Sequence, residues 1–391
     1  LNGRKTAVLQ IHQINLYEIN LPFVGDFSHS LKTGSSAANI VAEVVCRGDG
    51  PRGYGEAAPR TYVTGETPRS AITHLTHLTR RPDFPWDLED VSQIGSFVTA
   101  LPADKTRNAA ICAIETALLD ALGKSRGIAL LEYFPQSHRT DRVVYGAAIH
   151  LGGTETITER SRLIKGLGIR QIRVKMDRDY QRNCRTIETV LSILGPDCDL
   201  RIDVNGAWDD GLALKHIPLL TAGPVKVVEQ PLDPANAALS GFATEMKKNN
   251  IRLMADESAC ALPDVQGILA DGFYDMINIR LSKCGGFYRS LEIINFIRSQ
   301  GLYFQVGCQL GESGLLSAAG RALALLCRDA LYVDGSYDKF LLKENITLDD
   351  VSFGAGGLAG PLTGPGLGVR ANPQQIERLS RGLARETLLR P

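Results

Sequence analysis

The sequence predicts an α/β fold: a (β/α)₈ barrel fronted by an α+β capping domain, with a tail that returns to the cap. Three observations lead there. From about residue 143 onward, eight short β-rich runs alternate with helical segments. The first 60 residues have another character, with alternating runs and a tight turn typical of antiparallel strands. Five ionisable residues in the middle of the chain each close a short apolar run, at intervals of 28, 26, 27 and 27 residues.

In chain order, IHQINLYEINLPFV (residues 11–24) alternates as a half-buried strand does. GDFSHSLKTGSSA reads as a Gly/Ser-rich loop, and ANIVAEVVCR with GDGPRGYGEAAP reads as a hairpin around a Gly-Asp-Gly turn. Helical periodicity marks 68–80, 88–101 and 105–126. In the last of these Ala110, Ala113, Ile114, Ala117 and Leu118 form an apolar stripe closed by Gly123. The capping domain is placed at 1–135, the barrel at 136–340 and the returning tail at 341–391. The barrel strands are VVYGAAIHL, RQIRVKM, CDLRIDV, PVKVVEQ, IRLMADE, YDMINIRLS, LYFQVGC and LYVDGS. An open doubly wound sheet is the alternative, but no GxGxxG follows the first strand. The stretch GAGGLAGPLTGPGLGV in the tail is too rich in glycine for barrel.

Composition excludes several classes. The chain has 391 residues, 44% of them hydrophobic and 22% charged, with a formal net charge of zero. A neutral surface gives no bulk attraction to nucleic acid or to an anionic membrane. The eight cysteines are scattered without a CxxC pair, which fits reduced thiols in the cytoplasm better than a disulfide framework or a zinc site. No apolar run approaches the ~18 residues of a membrane span, and LNGRKTAVLQIHQ has no signal-peptide pattern.

The five spaced residues are Lys175 in IRVKMD, Asp203 in LRIDVNGAW, Glu229 in VKVVEQP, Asp256 in LMADES and Lys283 in INIRLSKCGG. Barrel enzymes carry their reacting groups at the carboxyl ends of the strands. On strands two to six of eight, Lys175 and Lys283 are expected to face each other across the mouth, with the three carboxylates between. Convergent carboxylates suit a hard divalent ion, Mg²⁺ or Mn²⁺ in its place. A substrate carboxylate bound there has an acidified α-proton. One lysine removes it, and the other returns a proton to the opposite face. Arg173 shares a strand face with Lys175 and is a neighbouring cation.

The order of these motifs resembles the enolase superfamily in its muconate-lactonizing subgroup, which includes muconate cycloisomerases, dipeptide epimerases, N-acylamino acid racemases and o-succinylbenzoate synthases. VEQP, ADES and the KxGG run at Lys283 carry the likeness. It implies metal ligation by Asp203, Glu229 and Asp256, acid/base roles for Lys175 and Lys283, and a homo-oligomer. It also implies that cap loops fold over the mouth and select substrate, which makes His29, Arg60 and Tyr62 candidates. Two departures stand out. The family's Lys-x-Lys is Arg173-Val174-Lys175 here. The Asp-x-Asp with which dipeptide epimerases hold a substrate ammonium is Asp334-Gly335-Ser336.

Around the core set, Asn205 shares a face with Asp203 and serves either as support or as a turn residue. Glu257 points to the opposite strand face from Asp256, toward an ion pair. Glu312 follows strand seven as a candidate pocket residue, Cys308 reads as a packed thiol, and His150 reads as a rim residue. The expected activity is a Mg²⁺-dependent isomerase acting on a small-molecule carboxylate, first as racemase or epimerase of amino-acid-like, N-acyl or dipeptide substrates. The alternatives are a muconate-type cycloisomerase or a syn-dehydratase. A catalytically silent binding protein requires damage among the five residues, and all five are intact.

Overall fold

A computed structural model describes residues 8–29 and 32–391, and the side chains of all of these except 26–29, 32 and 33. Its first sheet is antiparallel. Strand Leu9–His29 pairs with Lys32–Cys46, which pairs with Arg52–Ala57. Expected as a loop, the described residues of GDFSHSLKTG instead continue the hairpin, with Phe27↔Gly34, Ser28↔Thr33 and His29↔Lys32 paired. Main-chain pairing makes no demand on side-chain polarity, so a polar Gly/Ser run can extend a ladder already started by apolar residues.

The apolar stripe predicted in 105–126 lies in helix Asn108–Arg126, which packs beneath this sheet. Gly53 and Gly55 make the approach possible. A Cβ there would fall 2.1 Å from Ala117 O and 2.0 Å from Ala113 O. The tail closes the sheet: Arg385–Leu389 adds antiparallel to the free edge of Leu9–His29, with Gln13↔Leu389 in register.

Eight parallel strands follow the cap. They are Ala147–Ile149, Gln171–Lys175, Asp199–Asp203, Val225–Glu229, Arg252–Ala255, Met276–Ile279, Tyr303–Val306 and Tyr332–Val333, hydrogen-bonded in sequence order. Tyr145 bridges to Val333, and Gly146 N donates to Val333 O at 2.8 Å, so the first strand meets the last. Successive connections carry helices such as Thr154–Leu167 and Phe287–Ser299. Apolar residues on the outward strand face, Ile172, Val174, Leu200, Ile202 and Val228 among them, are fully buried under these helices. Among the described residues no helix is long and apolar enough to cross a membrane.

The cap docks on the barrel through the connection after strand six. Strand Met276–Ile279 is followed by Arg280 and then by one helical turn, Leu281–Cys284. Ala58 N donates to Ser282 Oγ at 2.9 Å, and Asn108 Nδ2 donates to Lys283 O at 2.7 Å. Glu115 of the cap helix accepts from Tyr288 N at 3.0 Å and from Phe287 N, closing the N-terminus of helix Phe287–Ser299. Gly286, at φ 91°, has no room for a side chain, since a Cβ would sit 1.9 Å from Glu115 Oε2.

Candidate active site

Three of the predicted residues, Lys175, Asp203 and Glu229, are the last residues of their strands, and the ladders put them side by side: Lys175↔Asp203 and Asp203↔Glu229. Asp256 stands directly after Ala255 and Arg280 directly after Ile279. Five side chains therefore stand at one level of the mouth, and the fifth is Arg280. Lys283 lies three residues further on, in the docking turn.

A cavity of about 240 Å³ opens at this level, lined by Arg173, Lys175, Asn205, Glu257 and Arg280 on its inner side. Lys175 Nζ is 2.5 Å from Asp203 Oδ2 and 2.8 Å from Asn205 Oδ1. Arg173 Nη1 donates to Asp203 Oδ2 and Glu229 Oε2, both at 3.1 Å. Arg280 bonds Asp256 Oδ2, lies 3.6 Å from Glu229 Oε1, and donates to Gln309 Oε1 at 3.1 Å. Asn278 Nδ2 reaches Glu229 Oε1 from below at 2.8 Å. The three carboxylates are fully buried beneath these cations.

Charge is balanced by position. Burial works against the charge of Glu229, yet Arg173, Arg280 and Lys175 hold it well below the usual carboxylate range. Burial and the Glu229 charge push Asp203 the other way, upward. Burial also opposes the charge on Arg280, but Asp256 and Glu229 outweigh it, and the guanidinium holds its proton more tightly than a free arginine.

Lys283 does not face Lys175. It is fully buried outside the cavity, and its ammonium donates to Asp256 O at 2.8 Å, Asp256 Oδ1 at 3.1 Å and Asn278 O at 2.6 Å. Burial opposes its charge, but Asp256 and the neighbouring thiols Cys284 and Cys260 prevail and the pKa moves up. This corrects the expectation of two opposed lysines. The strand ends at Ile279, and the turn that follows serves the cap. Counting from the strand end, rather than from the previous charge, would have found Arg280.

Other expectations are corrected as well. Asp334 lies beneath the floor: Arg201 Nη2 donates to its Oδ1 at 2.8 Å, and Arg173 Nε lies 3.1 Å from its Oδ2. Arg60 is tied into the seam between cap and barrel, donating to Ala38 O at 3.1 Å and Asn39 Oδ1 at 2.9 Å, and it does not line the cavity. The side chain of His29 lies outside the described residues. Glu257 turns into the cavity rather than to an ion pair, accepting from Asn205 Nδ2 at 2.7 Å. Burial, then the charges of Asp256 and Asp203, push it up to about 8. Tyr62, His150, Cys308 and Glu312 all line the cavity. Glu312 accepts from Gln309 N at 2.6 Å, and burial pushes it up to about 8. Leu163, Ile164, Leu167, Phe340 and Phe353 make the outer wall apolar.

The donor set has the chemistry of a hard divalent ion: three carboxylates at neighbouring strand ends, all fully buried. Their present partners are Arg173, Lys175, Arg280 and Lys283, and among the described residues no three acidic, His or Cys side chains are gathered as a ligand set. A metal held by Asp203, Glu229 and Asp256 would thus replace guanidinium ends as their partner.

Comparison with known proteins supplies the class. Residues 156–375 match the family described as "Enolase C-terminal domain-like". That is more than half of the chain, and the chain belongs to this family. A hydrophobic dipeptide epimerase of Enterococcus faecalis is 25% identical over 93% of this chain and 96% of its own. The N-succinyl-L-Arg/Lys racemase of Bacillus cereus is 26% identical over 80% and 83%. Three solved structures share the fold. The N-succinyl Arg/Lys racemase of B. cereus superimposes with a TM-score of 0.84 at 23% identity, covering 97% of this chain and 100% of that one. A dipeptide epimerase of Cytophaga hutchinsonii, complexed with Mg and D-Ala-L-Val, does so with 0.83 at 22%, covering 97% and 100%. The muconate lactonizing enzyme of Pseudomonas fluorescens gives 0.82 at 22%, covering 95% and 99%. The chain is a member of the enolase superfamily.

Proposed function

We propose that this protein is an isomerase that removes the proton α to a carboxylate, with Lys175 as the base. The observation that carries the reading is the placement of Lys175. It ends a strand, lines the cavity, and is held by Asp203 and Asn205 with its amine at the mouth. Arg173 and Arg280 give the same cavity the positive charge that an anionic substrate needs. A divalent ion on Asp203, Glu229 and Asp256 would add charge that stabilises the enolate.

The steps fall to the chain's own groups. Lys175 Nζ takes the proton from the α-carbon, and the electron pair moves into the carboxylate. Asn205 and Asp203 fix the amine so that it meets one face of that carbon. The apolar outer wall packs the substituent and keeps water away.

The relatives' activities put amino-acid-derived carboxylates first, and within them N-acylated compounds are favoured over dipeptides. The carboxylate expected to hold a free ammonium, Asp334, is already engaged by Arg201 and Arg173. The test is α-proton exchange in D₂O with Mg²⁺, over a panel of N-acylamino acids, dipeptides and muconate lactones, read by NMR. Exchange that depends on Lys175 is expected. Exchange that survives Lys175→Ala sinks the reading.

A further inference from the structure

We infer that this site works on one face of its substrate only, because the group opposite Lys175 is a guanidinium. The inference rests on the carbon-acid reading above and goes on to the stereochemical course of the reaction.

Inversion at carbon needs two titratable groups, one to remove the proton and one to deliver a proton from the other side. Lys175 closes strand two and Arg280 follows strand six, so in a ring of eight they stand opposite each other, and both line the cavity. A guanidinium stays charged at neutral pH, so it is not available as the base that inversion requires in one of its two directions. Arg280 is further held by Asp256 and Gln309, and it lies 3.6 Å from Glu229. Its fixed fork suits it to a different task, binding the substrate carboxylate and the charge that builds on it as the enolate forms. Lys283 cannot stand in. It is fully buried, and its ammonium is taken up by two carbonyls and Asp256 outside the cavity.

Glu257 lines the cavity between the two cations, bonding the amide nitrogen of the Asn205 whose oxygen holds Lys175, and it enters the test below. Glu312 and Tyr62 line the cavity from strand seven's connection and from the cap, and they enter the test below.

With one base, two outcomes balance. In the first, the α C–H bond breaks, Nζ gains the proton and the enolate holds the pair. The same amine then returns a proton to the same face and configuration is retained, so this course exchanges hydrogen without net conversion, and net conversion falls to the second. In the second, the enolate pair forms a carbon–carbon double bond while a β-substituent of the same molecule departs with its bonding pair. The reverse of that step closes a ring when the nucleophile is the substrate's own carboxylate. Neither outcome needs an oxidant, a reductant or a second molecule.

The experiment follows two rates on one sample, deuterium entry at the α-carbon by NMR and loss of enantiomeric excess by chiral chromatography. The probes are N-succinyl-L-phenylalanine, N-acetyl-L-methionine and muconolactone, with wild-type protein, Mg²⁺ and D₂O. The expected result is deuterium entry at least about ten-fold faster than racemisation of the amino-acid probes, or opening of the lactone with solvent exchange. Arg280→Lys places a titratable amine at the opposed position, and its racemisation rate is expected to rise toward its exchange rate. Wild-type racemisation that keeps pace with exchange overturns the inference, and its loss in Glu257→Gln, Glu312→Gln or Tyr62→Phe would assign the second acid to that residue. No exchange with any probe sinks the carbon-acid reading and this inference together, a result distinct from exchange with inversion. Because the decisive measurement uses wild type, a poorly folding Arg280→Lys variant leaves it intact.

Discussion

The ends of strands two and six carry lysines at nearly matching intervals in the sequence and treat them in opposite ways. Lys175 is the last residue of its strand, and its amine is exposed to the cavity. Lys283 lies beyond the strand, in a turn pinned by Ala58 and Asn108 of the cap, and its amine is sealed in. The difference shows that spacing between charges locates a mouth residue only if the strand ends where the spacing assumes. At strand six the chain spends its first mouth position on Arg280 and the next several on holding two domains together.

The largest effect that sharpens this contrast is on activity. Lys175→Ala should lower α-proton exchange by about three orders of magnitude, the range of a lost general base, with its melting temperature close to wild type. Lys283→Met should do the reverse. It strips Asp256 Oδ1 and two buried carbonyls of their donor, at a cost of about 3–5 kcal/mol of stability. Urea melts read that loss, and the protein that stays folded should keep its exchange within about ten-fold. If Lys283→Met matched Lys175→Ala in activity and kept its stability, the contrast would be broken.

Asp334 tests the same distinction on strand eight. It faces Arg201 and Arg173 below the floor, so Asp334→Asn should cost about 3 kcal/mol by leaving buried guanidinium charge short of a partner. KM for an N-acylamino acid should stay near wild type. A large rise in KM without loss of stability would return Asp334 to the substrate.

A further effect concerns the docking turn and pH. Burial pushes Glu115 up to about 8 from an ordinary 4.5, against the backbone donors Tyr288 and Phe287. Between those two values the folded protein keeps a proton that the unfolded chain has released. Stability should therefore be highest below about 4.5 as far as this group is concerned, and fall as pH rises toward 8, by up to about 1.4 kcal/mol per pH unit. Urea melts at pH 5 and pH 8 should show a smaller drop for Glu115→Gln than for wild type. An unchanged drop would show that the seam does not carry this proton.

Much of the barrel was legible because period and length suffice to place buried parallel strands. Lys175, Asp203 and Glu229 fell where expected because each ends its own β-rich run. What escaped was set by partners remote in sequence. The carbonyl of Lys283 meets Asn108 across 175 residues, and Asp334 meets Arg201 across 133. Arg60 is held by Leu310 O across 250. No local pattern announces such pairs, and each turned a candidate functional residue into a joint. Glu257 escaped for another reason. Strand alternation sent it away from Asp256, but the strand stops at Ala255, and the alternation rule stops with it.

The strand Arg385–Leu389 has a consequence for the way the chain comes together. Thr387 Oγ1 donates to Asn15 Oδ1 at 3.1 Å across 372 residues, so strand Leu9–His29 must wait for a partner synthesised after the whole barrel. Closing so long a loop adds little to the equilibrium cost, which grows only with the logarithm of length, but it is slow. The cap is therefore finished around a barrel that already exists. In pulsed hydrogen exchange the amides of Leu9–His29 that face Arg385–Leu389 should gain protection after those of strands two to six.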